Sequence, residues 1–102
     1  MAFISGLVPE SFERRVTATP GEFARDLRQA WPEVVADAGG SRFELQEGEQ
    51  LLVIVIEPAG VRRLGLFELP QLDVHFRFGS GEEPARRALL ARLDRGMQKG
   101  GG

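Results

Sequence analysis

Six aliphatic residues in succession, Leu51-Leu52-Val53-Ile54-Val55-Ile56, break the alternation of apolar and polar positions found elsewhere in this chain. A strand with one wet face alternates. An unbroken β-branched run this short, between Glu47-Gly48-Glu49 and Pro58-Ala59-Gly60, predicts a strand that is apolar on both faces. Leu51, Val53 and Val55 then point one way, and Leu52, Ile54 and Ile56 the other.

Around this run the pattern predicts further elements. Phe12, Val16 and Ala18 share one parity in a strand over residues 10–18. Thr19-Pro20-Gly21-Glu22 forms a capping box with proline at the first helical position. Phe23, Leu27 and Trp31 follow at helical spacing, and Pro32 ends the helix. Residues 33–40 form a connector. Strands are predicted over 41–47, 50–57, 61–69 and 71–78, the last alternating Leu72, Val74, Phe76 and Phe78 against Asp73, His75 and Arg77. Ser80-Gly81-Glu82-Glu83 reads as a second capping box. It opens a helix to about Met97 whose apolar line is Ala85, Leu89, Leu93 and Met97, with Arg86, Arg87, Arg92 and Arg95 toward water. Residues 1–98 form a single domain and 99–102 a flexible glycine-rich tail. Residues 1–9 hold Phe3, Ile4, Leu7 and Val8 without a period, as a frayed arm or a strip over something apolar.

The fold class expected is α+β: a single antiparallel sheet of about five strands with two helices on one face, in the order β-α-β-β-β-β-α. This order resembles the TATA-binding-protein-like fold and the helix-grip arrangement, in which helices lie on one face of a curved antiparallel sheet. The resemblance is one of element order and implies nothing about function.

Turn chemistry then sets the faces. A three-residue loop at Pro58-Ala59-Gly60, with Gly60 left-handed, pairs Val53 with Gly65 and Leu51 with Phe67. A two-residue loop at Pro70-Gln71 pairs Phe67 with Val74. These registers collect Leu51, Val53, Val55, Phe67, Leu69, Leu72, Val74, Phe76 and Phe78 under the helices. The opposite face receives Leu52, Ile54, Ile56, Leu64 and Leu66, rimmed by Arg62, Glu68, Asp73, His75 and Arg77. Phe43 and Leu45 join Leu52 and Ile54 if Gly48-Glu49 is a two-residue turn, and the opposite set if the turn has three residues. The candidate interaction face is therefore Leu52, Ile54, Ile56, Leu64, Leu66, His75 and Arg77. Its apolar centre and charged rim suit a two-fold homodimer. The function expected is a small non-enzymatic interaction module that self-associates through this face. The alternative is a binder of a small apolar ligand, between sheet and helices or on the open face.

Composition narrows the field. At 102 residues the chain buries a core without metal or disulfide, and it has no cysteine, which excludes thiolate chemistry. No stretch approaches membrane length and the N-terminus lacks the pattern of a signal peptide, so a cytoplasmic location and no membrane partner are expected. The net charge of -2 is unevenly spread. Residues 61–102 are net basic, but nearly all the cations are arginine and asparagine and tyrosine are absent, as in a GC-rich coding sequence. With no basic stripe interleaved with aromatic residues, a nucleic-acid partner is not expected.

The chemistry-bearing residues are few. His75, the single histidine, could act as a base oriented by Asp73 or Glu68. A solvated strand face is the simpler reading. No histidine or cysteine pair sits at metal-ligand spacing, and Ser80 in Gly79-Ser80-Gly81 precedes a helix rather than forming a nucleophile elbow. No catalytic residue, metal or cofactor is assigned.

Overall fold

Thr19 starts the first helix as its sequence requires. The Glu22 N–H donates to Thr19 Oγ1 at 3.1 Å and the Thr19 N–H donates to Glu22 Oε1 at 2.9 Å, satisfying two backbone donors reciprocally. In the computed structural model, which describes residues 7–101 with side chains through Met97, this helix is α1 (Pro20–Ala30). It follows β1 (Ser11–Thr17) and precedes β2 (Val35–Ala36), β3 (Arg42–Glu47), β4 (Gln50–Leu64), β5 (Phe67–Phe78) and α2 (Glu83–Gly101). The strands form one antiparallel sheet in the order β1-β5-β4-β3-β2, with both helices on one face. The α+β class and the order β-α-β-β-β-β-α are as expected.

The strands that fill this order differ from those expected in two places. The connector after α1 contributes the two-residue β2, which pairs with Phe43 and Glu44. The predicted strands 50–57 and 61–69 are one strand, β4, up to Leu64. Its chain does not turn at Pro58-Ala59-Gly60. That segment is a β-bulge in which Ala59 and Gly60 oppose Gln71, with Gly60 at φ 85°. The turn is Gly65-Leu66, with Gly65 at φ 61°, and it joins the pair Leu64–Phe67. Glycine first in a two-residue loop matches the right-handed twist of the flanking strands.

The bulge inverts the faces of the inner part of β4, because its extra residue shifts the pairing by one between Val61–Pro70 and Pro58–Leu72. Leu52 now opposes Phe78, Ile54 opposes Phe76 and Ile56 opposes Val74. Leu52 and Ile54 are 0% exposed and Ile56 is also buried beneath the helices, so these three do not stand on the open face. Leu51, Val53 and Val55 take that place, half-buried. Phe67 and Leu69 are not in the core either. Gly48-Glu49 is a two-residue turn that pairs Leu45 with Leu52 and Phe43 with Ile54, and all four are core residues.

Leu27, Trp31, Leu89, Leu90 and Leu93 bring the helices onto this layer. Phe12 stacks on Phe76 with ring centroids 4.7 Å apart and planes 6° from parallel. Two arginines fasten the helical layer. Arg14 on β1 makes a bidentate pair with Asp94 on α2, at 2.7 and 3.1 Å, while lying over the Phe12 and Phe76 rings. Arg92 on α2 stands 3.8 Å from the Trp31 ring centroid and reaches Glu47 at the end of β3 at 3.0 Å. Arg92 is therefore a bridge and not one of a row of solvated cations. Arg86 is likewise engaged, donating to the Val8 carbonyl at 3.0 Å.

The second capping box is not built from Ser80. The Glu82 carbonyl accepts the Ala85 and Arg86 N–H groups, and the Glu83 carboxylate accepts the Val8 N–H at 2.8 Å. This contact draws Val8 into the core, while Leu7 stays exposed. Residues 1–6 of the arm expected over 1–9 lie outside the described residues. Helix α2 runs to Gly101, past Met97 and into the stretch expected as a tail.

Two stability predictions follow from this packing. A Cβ at Gly96 would come within 2.6 Å of the Ala30 Cβ and 2.9 Å of its Cα, where α1 and α2 cross, whereas a Cβ at Gly21 meets nothing within 4 Å. Gly96→Ala should lose about 1–3 kcal/mol in urea denaturation, and Gly21→Ala should gain about 0.5–1 kcal/mol. Separately, the Val8 N–H, and after it Arg87 and Arg86, hold the Glu83 carboxyl below the usual glutamate range. The unfolded chain takes up that proton more readily. The contact therefore stabilises fully above the ordinary glutamate range and is lost as pH falls through the depressed value. Melting temperatures measured from neutral to acidic pH should drop more steeply for the native chain than for Glu83→Gln.

Candidate interaction surfaces

The face away from the helices is built from one parity of each strand. Ser11, Glu13, Arg15 and Thr17 of β1 lie beside Gln71, Asp73, His75 and Arg77 of β5. Next come Glu57, Val55, Val53 and Leu51 of β4, and then Arg42, Glu44 and Gln46 of β3. A short apolar strip thus runs down the middle strand between two polar flanks. A concavity of about 510 Å³ opens over Val53, Val55, Glu13, Glu57, His75 and Arg77.

Polar side-chain contacts tie the strands together across this face. His75 lies between two glutamates, Nδ1 3.2 Å from Glu13 and Nε2 3.1 Å from Glu57, and so joins β1, β5 and β4. Asp73 is not its partner. The Arg15 guanidinium takes Asp73 at 2.7 Å and holds that carboxyl below the usual aspartate range, mainly through the hydrogen bond itself. Glu68 is far along the hairpin and pairs with Arg63 at 3.2 Å. Among the described residues no group of three or more His, Asp and Glu is arranged to hold a metal ion.

The second surface is the end of the β4–β5 hairpin. β1 leaves the sheet after the Ala18 N–H donates to Pro70, and β3 leaves after Ser41 accepts from Ile56. Beyond those bonds the two long strands pair with each other, through Val61–Pro70, Arg62–Leu69, Arg63–Glu68 and Leu64–Phe67. The result is a two-stranded arm on which every residue from 60 to 68 is exposed. Leu66 at its tip is 101% exposed and Phe67 71%, with Val61 and Leu64 exposed as well. Alternation sorts the arm into two sides. Phe67 and Leu69 share the parity of Asp73 and His75, and their cross-strand partners are Leu64 and Arg62. The side continuous with the open face therefore carries Arg62, Leu64, Phe67 and Leu69. The reverse carries Val61 and the Arg63–Glu68 pair.

The structure distributes the seven face residues named from sequence over three places. Leu52, Ile54 and Ile56 are in the core. His75 and Arg77 are on the open face. Leu64 and Leu66 are on the arm. The reading from sequence missed Val53, Val55 and Phe67. Side-chain size held a signal for the first two, since the even positions of the run carry the larger residues and a packed layer takes those. Gly65-Leu66, a Gly-X hairpin signal, held the signal for Phe67. Comparison with protein families, with curated proteins and with solved structures finds no match to this chain. No helix among the described residues is long and apolar enough to cross a membrane.

Substitution distinguishes the two sides of β4. Ile54→Ala should cost about 2–5 kcal/mol in chemical denaturation, as a truncation in a packed core does. Val53→Thr, at a half-buried strand position, should remain within about 1 kcal/mol of the native chain.

Proposed function

We propose that this protein is a non-enzymatic interaction module that self-associates, acting in the cytoplasm. The observation that carries the reading is the arm, where Leu66 and Phe67 stand in water beside Leu64 and Val61. A two-stranded ribbon is marginal by itself, and burying each large apolar side chain is worth roughly 1.5–3 kcal/mol. The exposed arm is stabilised by any apolar surface that covers it. The open face supplies one in the same chain, with Leu51, Val53 and Val55 between polar flanks. An apolar strip with a charged surround has the composition of an interface that forms between folded subunits. The occupants of the original expectation change. Leu52, Ile54 and Ile56 take no part, and the arm replaces them.

The alternative is a small apolar ligand on the open face, favoured by the 510 Å³ concavity, a volume within the range of ligand sites. The space between sheet and helices is less suited to a ligand, because Trp31, Phe43, Leu27 and Ile54 fill it.

Size-exclusion chromatography with light scattering tests self-association. The native chain at tens of micromolar should run as a dimer and Phe67→Glu as a monomer with unchanged circular dichroism. A native chain that is monomeric throughout that range removes the proposal. Native mass spectrometry of freshly purified protein showing an added small-molecule mass would favour the ligand.

A further inference from the structure

We infer that two copies of the chain clasp each other reciprocally, the hairpin arm of each lying across the open sheet face of the other, with Leu64 seated between Val53 and Val55 of the second copy. The inference rests on self-association and specifies its geometry. The arm's apolar side and the concavity belong to the same side of the same two strands. The arm is centred on the pair Leu64–Phe67 and the concavity on the level of Ile54–Phe76, so the midpoint falls beside Gln71, opposite the bulge. A two-fold axis over that point, parallel to the sheet, across the strands and about 5 Å outside the open face, turns one sheet over onto the other and reverses its strands. It brings each arm onto the other copy's concavity at once, so the contact closes as a dimer and does not propagate.

The same operation fixes the remaining neighbours without further choice. β4 stacks on β4 and β5 on β5. Leu64 meets the level of Ile54, whose outward neighbours are Val53 and Val55. Phe67 meets the level of Phe76, whose outward neighbours are His75 and Arg77. Arg62, two residues nearer the axis, falls at the level of Ile56 and Val74, beside Glu57 of the second copy. Arg62 has no carboxylate partner among the described residues, while Glu57 has one contact, His75. Arg63, which would point away, is already matched by Glu68. Of the arm's two arginines, the one without a carboxylate partner among the described residues is thus the one that this arrangement sets against a carboxylate, and the apolar side of the arm is the one set against the apolar strip.

The absence of cysteine makes the test direct. Leu64→Cys and Val53→Cys are prepared separately, mixed, and treated with a short bismaleimide, since stacked sheets lie about 10 Å apart. Within one chain these positions are eleven residues apart on a single strand, roughly 35 Å, and cannot be joined. The mixture should give a covalent heterodimer. Each variant alone should give none, because the axis holds two copies of either position about 30 Å apart. Mixing Arg62→Glu with Glu57→Arg should give dimers where each alone is weakened, since only the mixed pair has opposite charges at both contacts. A light-scattering dimer that links Leu64 to Leu64, or Val53 to Val53, overturns the reciprocal clasp and leaves self-association standing. A monomer at tens of micromolar overturns both.

Discussion

One hairpin turn and the bulge behind it govern the rest of this structure. With Gly65-Leu66 as the loop and one extra residue held in the bulge at Ala59-Gly60, β4 and β5 pair along their whole length, and Ile54 opposes Phe76. That pairing assigns every side chain of the middle strand to a face, because a slip of one residue, such as the bulge introduces, exchanges the faces. It decides that Leu52, Ile54 and Ile56 meet Trp31 and the leucines of α2, and that Val53 and Val55 meet water. It also creates the arm, since a strand that does not turn at residue 58 must continue past the edge of its neighbours. The loop sets where the arm ends, and the bulge sets which side chains of β4 enter the core.

The parts legible in the sequence were those specified locally. The Thr19 cap, the Phe23–Leu27–Trp31 stripe and the strict alternation from Leu72 to Phe78 each carry their own period or their own hydrogen-bonding partner. They stand where the sequence puts them. The faces of β4 were not legible in this way, because the run is apolar on both sides and alternation cannot orient it. Its orientation depends on whether Pro58-Ala59-Gly60 is a turn or a bulge, since the extra residue of a bulge exchanges the faces. Gly60 is left-handed as a loop glycine would be, but a bulge uses the same conformation. The signal was real and its meaning was ambiguous. The short β2 had no pattern at all, and its pairing with β3 is a tertiary effect.

Charged residues contribute to the architecture more than their distribution along the chain suggests. Arg14 and Arg92 each combine a carboxylate with the face of an aromatic ring, and each joins α2 to a distant part of the chain. Their aliphatic stems and planar heads cover the margin of a core that the small sheet alone leaves open. His75 does the equivalent on the other face, joining three strands through two glutamates. Part of the arginine-rich composition is thus used for internal fastening.

The bulge at Ala59 and Gly60 has a consequence for how such a chain can diversify. It holds one more residue than the strand opposite, so it acts as a half-turn swivel between two stretches of the same strand. Before it, even-numbered side chains face the helices. After it, Arg62 and Leu64 face the other way. Losing that one residue would rotate the outer stretch without touching the inner one. Indels confined to this swivel could therefore redirect what the molecule grips while its interior stays under unchanged selection.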